Sequence, residues 1–253
     1  MKIGGPNAGT VNLTYDANGN LISDSTGRQF TWNAQDQLTK VQFPTLSALM
    51  GYDPLGRRTS LSKGSNSKTF FYLGQSLLSD GSSRFLQGAG IDQPLQLDTS
   101  LGSQSYLQDH LGSTSQLVDS LNGNSKARYD YKSYGKLEGD IANPQASNPF
   151  TYTSREDDGT GLLYYRARYY DPELEVFISQ DPLGDAQRYV GGNPMSAIDP
   201  EGTNALLLIP ATFAAGGALT GVAAQGVSDL VTGNAPNIND YRAAYVGGAV
   251  TGL

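Results

Sequence analysis

Tyr15-Asp16-Ala17-Asn18-Gly19-Asn20-Leu21 returns in altered form as Trp32-Asn33-Ala34-Gln35-Asp36-Gln37-Leu38 and again as Tyr52-Asp53-Pro54-Leu55-Gly56-Arg57-Arg58. Each copy reads as a strand end, a tight turn and a strand start. Asp or Asn initiates the turn through its side chain, Pro presets φ, and Gly supplies a positive φ. An aromatic followed by turn formers at steps of about twenty residues predicts stacked β-hairpins, which build a sheet that lengthens with repeat number. In Phe30-Thr31-Trp32 and in Leu38-Thr39-Lys40-Val41-Gln42-Phe43 the apolar residues are read as alternating, so that one side of each strand faces a core.

The composition agrees. The 253 residues include 31 glycines, 12 prolines and 15 tyrosines, which favours one or two turn-rich domains with aromatic strands over a helical bundle. The tyrosines read as cross-strand pairs rather than sugar-binding platforms. With no cysteine there is neither a disulfide framework nor a thiol nucleophile, and a single histidine argues against a His-rich metal site. No metal or cofactor is expected, and any catalysis falls to carboxylates or hydroxyls. A formal charge of −7 argues against nucleic acid as a partner, because backbone binding needs a basic stripe.

Asp181-Pro182-Leu183-Gly184 and Asp199-Pro200-Glu201-Gly202 are two copies of one tetrapeptide, just downstream of the arginine-containing aromatic run Tyr164-Tyr165-Arg166-Ala167-Arg168-Tyr169-Tyr170. Two aspartates held in rigid turns are the minimum for acid/base hydrolysis of a peptide bond. Carboxylates that share a site do not both ionise cheaply, so one stays protonated while the other acts as base. The plainer reading is an ordinary type I turn at each position, as at Asp16, Asp53 and Asp171. For Arg168 the plain alternative is stacking on an aromatic ring or pairing with a turn aspartate. Local sequence leaves both open.

The Tyr-Asp units resemble the YD repeats of Rhs proteins, a family that includes bacterial polymorphic toxins and the C components of insecticidal toxin complexes. The likeness continues through Tyr106-Leu107-Gln108-Asp109-His110-Leu111-Gly112 and Tyr129-Asp130-Tyr131 to Gly161-Leu162-Leu163-Tyr164-Tyr165-Arg166-Ala167-Arg168-Tyr169-Tyr170-Asp171-Pro172, then Phe177-Ile178-Ser179-Gln180-Asp181-Pro182 and Asp199-Pro200-Glu201-Gly202. The resemblance implies a mainly β fold: antiparallel hairpins in a spiralling sheet, a fragment of a shell, ending in a core-associated plug. It also implies that the plug is an aspartyl-type autoprotease acting once in cis. Asp181 and Asp199 would be the paired acids, Arg168 the group that positions or polarises them, and Thr203 and Asn204 would flank the cut. The sequence departs from the family at Thr203, where a leucine is usual, and at Glu175-Val176, where Gly-Arg is usual before the phenylalanine.

On this reading residues 1–100 form the repeat sheet, 101–202 the plug, and 203–253 an apolar, Gly-rich, helical tail. The chain would be the carboxy-terminal part of an Rhs protein. From Thr203 to Ser228 no residue is charged, and residues 205–225 are long enough to be a candidate for membrane contact. Implied partners are an amino-terminal Rhs shell or the remaining repeats, a carboxy-terminal toxin segment, secretion machinery and an immunity protein. The start Met1-Lys2-Ile3-Gly4-Gly5-Pro6-Asn7 lacks the apolar stretch of a signal peptide. Synthesis in the bacterial cytoplasm followed by export or delivery with a carrier is therefore expected. Two other readings stand beside self-cleavage: a non-catalytic β-repeat shell or surface protein, and a membrane-inserting effector.

Overall fold

A computed structural model describes residues 11–138, 148–184, 187–203 and, as backbone alone, 206–207. The chain divides into Met1–Leu207 and Leu208–Leu253. The second unit lies outside the described residues, and with it most of the expected helical tail and of the candidate membrane segment. Asn204, one flank of the expected cut, lies outside them too.

Each repeat turn closes on its own side chain. The Oδ1 of Asp16 accepts from the amides of Asn18 and Asn20 at 2.9 and 2.8 Å, and Asp53 Oδ1 accepts from Leu55 and Arg57 at 2.9 and 3.0 Å. Asn33 does the same for Gln35 and Gln37, both at 3.0 Å, so an amide oxygen serves as well as a carboxylate. The aromatic before each turn marks a β-bulge, with register shifts at Tyr15, Trp32 and Tyr52. Two of these rings then tie consecutive repeats together. Trp32 Nε1 donates to the Leu21 carbonyl at 2.8 Å and the Tyr52 hydroxyl to that of Leu38 at 2.7 Å.

These hairpins form two antiparallel meanders of seven strands, each strand beside its chain neighbour. The first comprises β1 (Leu13–Tyr15), β2 (Leu21–Asp24), β3 (Gln29–Trp32), β4 (Leu38–Gln42), β5 (Ser47–Tyr52), β6 (Arg58–Lys63) and β7 (Asn66–Thr69). The second comprises β8 (Phe71–Leu73), β9 (Ser76–Ser79), β10 (Arg84–Gln87), β11 (Pro94–Thr99), β12 (Gly102–Gln108), β13 (Thr114–Asp119) and β14 (Ser125–Arg128). Residue 100, the expected edge of the repeat sheet, lies in the turn that joins the paired strands β11 and β12. The alternation read in residues 38–43 is not what is buried. Leu38 and Val41 are the buried residues of β4, three apart, and β6 and β13 repeat that spacing. In β4 the register shift opposite Trp32 separates these two positions, which a regular pleat would turn to opposite faces.

Beyond a short ladder, β15 (Asp130–Tyr131) with β16 (Leu137–Glu138), comes a four-stranded sheet of β17 (Glu156–Asp157), β18 (Leu163–Tyr165), β19 (Arg168–Asp171) and β20 (Val176–Phe177). Every residue of β18, β19 and β20 is buried. One face carries Tyr165, Tyr170 and Phe177 packed with Tyr189, the Tyr170 and Tyr189 rings lying 4.6 Å apart. The other carries the cross-strand pair Tyr164 and Tyr169, whose rings are 5.2 Å apart. Leu21, Phe30, Leu97, Leu117, Leu162 and Tyr169 belong to one buried cluster that unites both meanders with this sheet.

The chain then forms a last hairpin, β21 (Ala197–Ile198) with β22 (Leu206–Leu207). Leu206 and Leu207 therefore correct the expected helical tail at their two positions, because β21 offers them a partner strand. Among the described residues there is no α-helix, and no helix long and apolar enough to cross a membrane.

Candidate functional site

The site grows from the turn between β18 and β19. Tyr165 pairs with Arg168, so Arg166 and Ala167 form a two-residue turn, with Arg166 at φ +59°. Arg168 leaves this turn on a fully buried strand, its guanidinium stacked 3.6 Å from the centre of the Phe177 ring. Its Nη2 meets Asp181 Oδ2 at 2.9 Å and Asp199 Oδ2 at 3.3 Å. The three residues singled out in the sequence thus converge on one nitrogen, although 13 and 18 positions separate them along the chain.

In both Asp-Pro-x-Gly turns the aspartate bonds to the backbone of its own turn. Asp199 Oδ1 accepts from the Thr203 amide at 3.0 Å, the same i to i+4 bond that Asp16 and Asp53 make. Asp181 Oδ1 accepts from the Leu183 amide at 2.9 Å. What separates these two from the repeat aspartates is the second oxygen. In Asp53 it faces the neighbouring Arg57, whereas in Asp181 and Asp199 it faces the buried Arg168. Burial holds the Arg168 guanidinium below its ordinary pKa, against the opposing pull of Asp181 and Asp199, yet an arginine stays cationic across the physiological range. One guanidinium nitrogen thus faces two carboxyl groups. Asp181 is the more open, its side chain 11% exposed against 3% for Asp199.

The second turn is fastened down by its main chain. Three successive carbonyls, those of Pro200, Glu201 and Gly202, accept from the Arg155 and Arg166 side chains, the Ala167 amide and Arg168 Nε respectively. Gly202 sits at φ +70°, and a Cβ there would lie 2.5 Å from the Tyr165 carbonyl oxygen, so glycine is required by both conformation and space. Thr203 follows directly after these three carbonyls, beyond β21. The Asp181 turn is placed by the first repeat: Gln180 packs against the bare Gly19, and Gln187 Nε2 donates to the Gly19 carbonyl at 2.9 Å.

Sequence reasoning missed Arg155, Arg166 and Asp92. Arg166 was visible within the aromatic run, but Asp92 lies in a Gly-Ala-Gly-Ile-Asp loop between β10 and β11 with no pattern to mark it. A further buried group lies outside this site. Arg58 of β6, 0% exposed, donates to Glu156 and Asp158 and lies between the rings of Phe70 and Tyr164 at 4.5 and 4.4 Å. Among the described residues no group of three or more His, Asp or Glu side chains could hold a metal ion.

The chain is 29% identical over 223 residues to the tRNA3(Ser)-specific nuclease WapA of Bacillus spizizenii, a match covering 80% of this chain and 10% of that protein. It is 32% identical over 105 residues to the toxin subunit YenC1 of Yersinia entomophaga, covering 38% of this chain and 11% of the subunit. The fold matches the crystal structure of TcdB2-TccC3 with a TM-score of 0.62 at 22% identity, over 74% of this chain and 11% of that one. The chain is an Rhs/YD-repeat module. No protein-family model matches it. The module spans about a tenth of the length of these two relatives and of the solved chain.

Proposed function

We propose that this Rhs/YD-repeat module belongs to a toxin-encapsulating shell and cleaves its own chain once, between Thr203 and Asn204, to free the segment that follows. The observation that carries the reading is the meeting of Asp181 and Asp199 on Arg168 Nη2, beside a Gly202 carbonyl held by Arg168 Nε. In this scheme the ionised aspartate takes a proton from water and the resulting hydroxide adds to the Thr203 carbonyl carbon. The protonated aspartate donates to the departing Asn204 nitrogen as the C–N bond breaks. Arg168 offsets the negative charge that develops. One water is consumed, leaving a carboxyl on Thr203 and an amine on Asn204. Because the bond belongs to the same chain, the tethering supplies the effective concentration and one turnover suffices. This reading assigns the chain three parts, a repeat sheet, a plug and a tail. The partners are the remaining shell, the released toxin segment, secretion machinery and an immunity protein, with export or carrier delivery from a bacterial cytoplasm.

Intact mass of the expressed chain tests this, with two products meeting at Thr203 and Asn204 expected. Asp199→Asn separates chemistry from folding, because Asn33 shows that an amide oxygen builds the same turn. Cleavage that persists in Asp199→Asn, or a wild-type chain that stays whole, refutes the proposal. The second reading, a non-catalytic shell module, rests on the Asp199 to Thr203 turn bond that the repeat aspartates share, and an uncut wild type supports it.

A further inference from the structure

The Pro200 carbonyl, three residues before the proposed cut, receives two guanidinium donors, Arg155 Nη1 at 3.2 Å and Arg166 Nη1. Two cations side by side in a buried site repel each other, so something must hold them together. That group is Asp92. Its Oδ1 pairs with Arg155 Nη2 and, at 2.7 Å, with Arg166 Nη2, while its Oδ2 lies 3.4 Å from Arg166 Nη1. All three side chains are largely buried, at 6% exposed for Asp92, 4% for Arg155 and 14% for Arg166.

The backbone around this cluster is held in an uncommon conformation. Among the described residues seven non-glycines have a positive φ, and four belong to this clamp or stand next to it: Asp92 at +55°, Thr153 at +46°, Ser154 at +54° and Arg166 at +59°. Left-handed backbone costs about 1–2 kcal/mol at each such residue and persists only where the surroundings enforce it. Gln93 fixes the Asp92 loop by accepting from the Gly88 and Gly90 amides at 2.7 and 3.0 Å. A Cβ on Gly88 or Gly90 would collide with that Gln93 side chain.

We infer that Asp92 is a positioning residue that reaches from the second repeat sheet, through Arg155 and Arg166, to hold the Pro200 carbonyl and so set the loop that carries the cut. Asp92 touches none of the reacting atoms. It makes assembly of the junction depend on the β10–β11 loop, more than a hundred residues upstream, so a chain whose second sheet is unfolded does not cut early. The catalytic part of this inference rests on the self-cleavage proposed above; the structural part does not.

Two readouts on the full chain test it. The first is the rate of product formation by intact mass in Asp92→Ala and Asp92→Glu. Loss of the clamp misplaces the loop, and Asp92→Ala is expected to slow cleavage about a hundredfold. Asp92→Glu, which keeps the charge, is expected to recover most of that loss. The second is amide hydrogen exchange, with the Ala167, Gly202 and Thr203 amides exchanging about tenfold faster in Asp92→Ala while β12 and β13 keep wild-type protection. Wild-type cleavage in Asp92→Ala, or unchanged exchange at 199–203, overturns the inference. So does a loss of protection throughout the chain, which would make Asp92 a residue of overall stability. If the wild-type chain is not cut at all, the self-cleavage reading fails by itself, and exchange alone decides whether the clamp exists.

Discussion

Replacing Arg58 by methionine removes the cation that joins β6 of the first meander to β17 of the four-stranded sheet. The side chain is 0% exposed, and its loss leaves the buried Glu156 and Asp158 carboxylates without the guanidinium that both of them contact. Breaking a buried ion pair from one side costs about 3–5 kcal/mol, because the remaining charge stays desolvated. Urea unfolding at pH 7 is expected to show a deficit of that size. The triple variant Arg58→Met, Glu156→Gln, Asp158→Asn is expected to recover most of it, since the penalty comes chiefly from the stranded charges. The deficit also depends on pH in a defined direction. Burial pushes the Glu156 and Asp158 carboxyls above their ordinary pKa values against the opposing pull of Arg58, and without Arg58 that push is unopposed. A carboxyl whose folded pKa exceeds its unfolded value takes up a proton on folding, so its penalty grows as pH rises between the two values. The deficit of Arg58→Met is therefore largest above the folded pKa values of the two carboxyls in the variant. It shrinks by about 1.4 kcal/mol per pH unit for each carboxyl as pH falls from its folded pKa in the variant to its lower folded pKa in the wild type. A deficit below about 1 kcal/mol at pH 7, or one of equal size at pH 5 and pH 7, would show that Arg58 does not clamp the two elements through charge.

Gly202→Ala should lift the junction loop off the β18–β19 turn, because its Cβ would meet the Tyr165 carbonyl oxygen at 2.5 Å and the Arg168 amide nitrogen at 3.2 Å, both main-chain atoms. Cleavage slowed about a hundredfold with faster exchange at Ala167 is expected, and a wild-type rate with a protected Ala167 amide would refute the docking. Glu175, exposed and at φ +61°, holds a left-handed backbone conformation that favours glycine. Glu175→Gly should raise stability by about 0.5–1 kcal/mol, the relief of left-handed strain less the added freedom of the unfolded chain. An unchanged or lower urea midpoint would contradict this.

The hairpin repeats were legible because a turn is made by residues within four positions of one another. Asp16, Asn33 and Asp53 each close their own turn through Oδ1, and the aromatic, turn former and glycine spacing records it directly. The burial spacing in β4 was not legible, because the bulge that sets Leu38 and Val41 three apart depends on the strand opposite. The tail was expected to be helical on composition, yet Leu206 and Leu207 follow the strand beside them.

The candidate site divides along the same line. The sequence by itself determined that Asp181 and Asp199 lie in turns and that Arg168 lies in a run of aromatic residues, since each of these is a short-range property. It could not separate Asp199 from Asp53, whose local pattern is the same. Only the tertiary structure decided that the second oxygens of Asp181 and Asp199 face one buried guanidinium, and that Asp92 holds two more against the junction. The physical reason is that a buried charge must find a partner, and which partner it finds is set by how the sheets pack, not by neighbours in the chain.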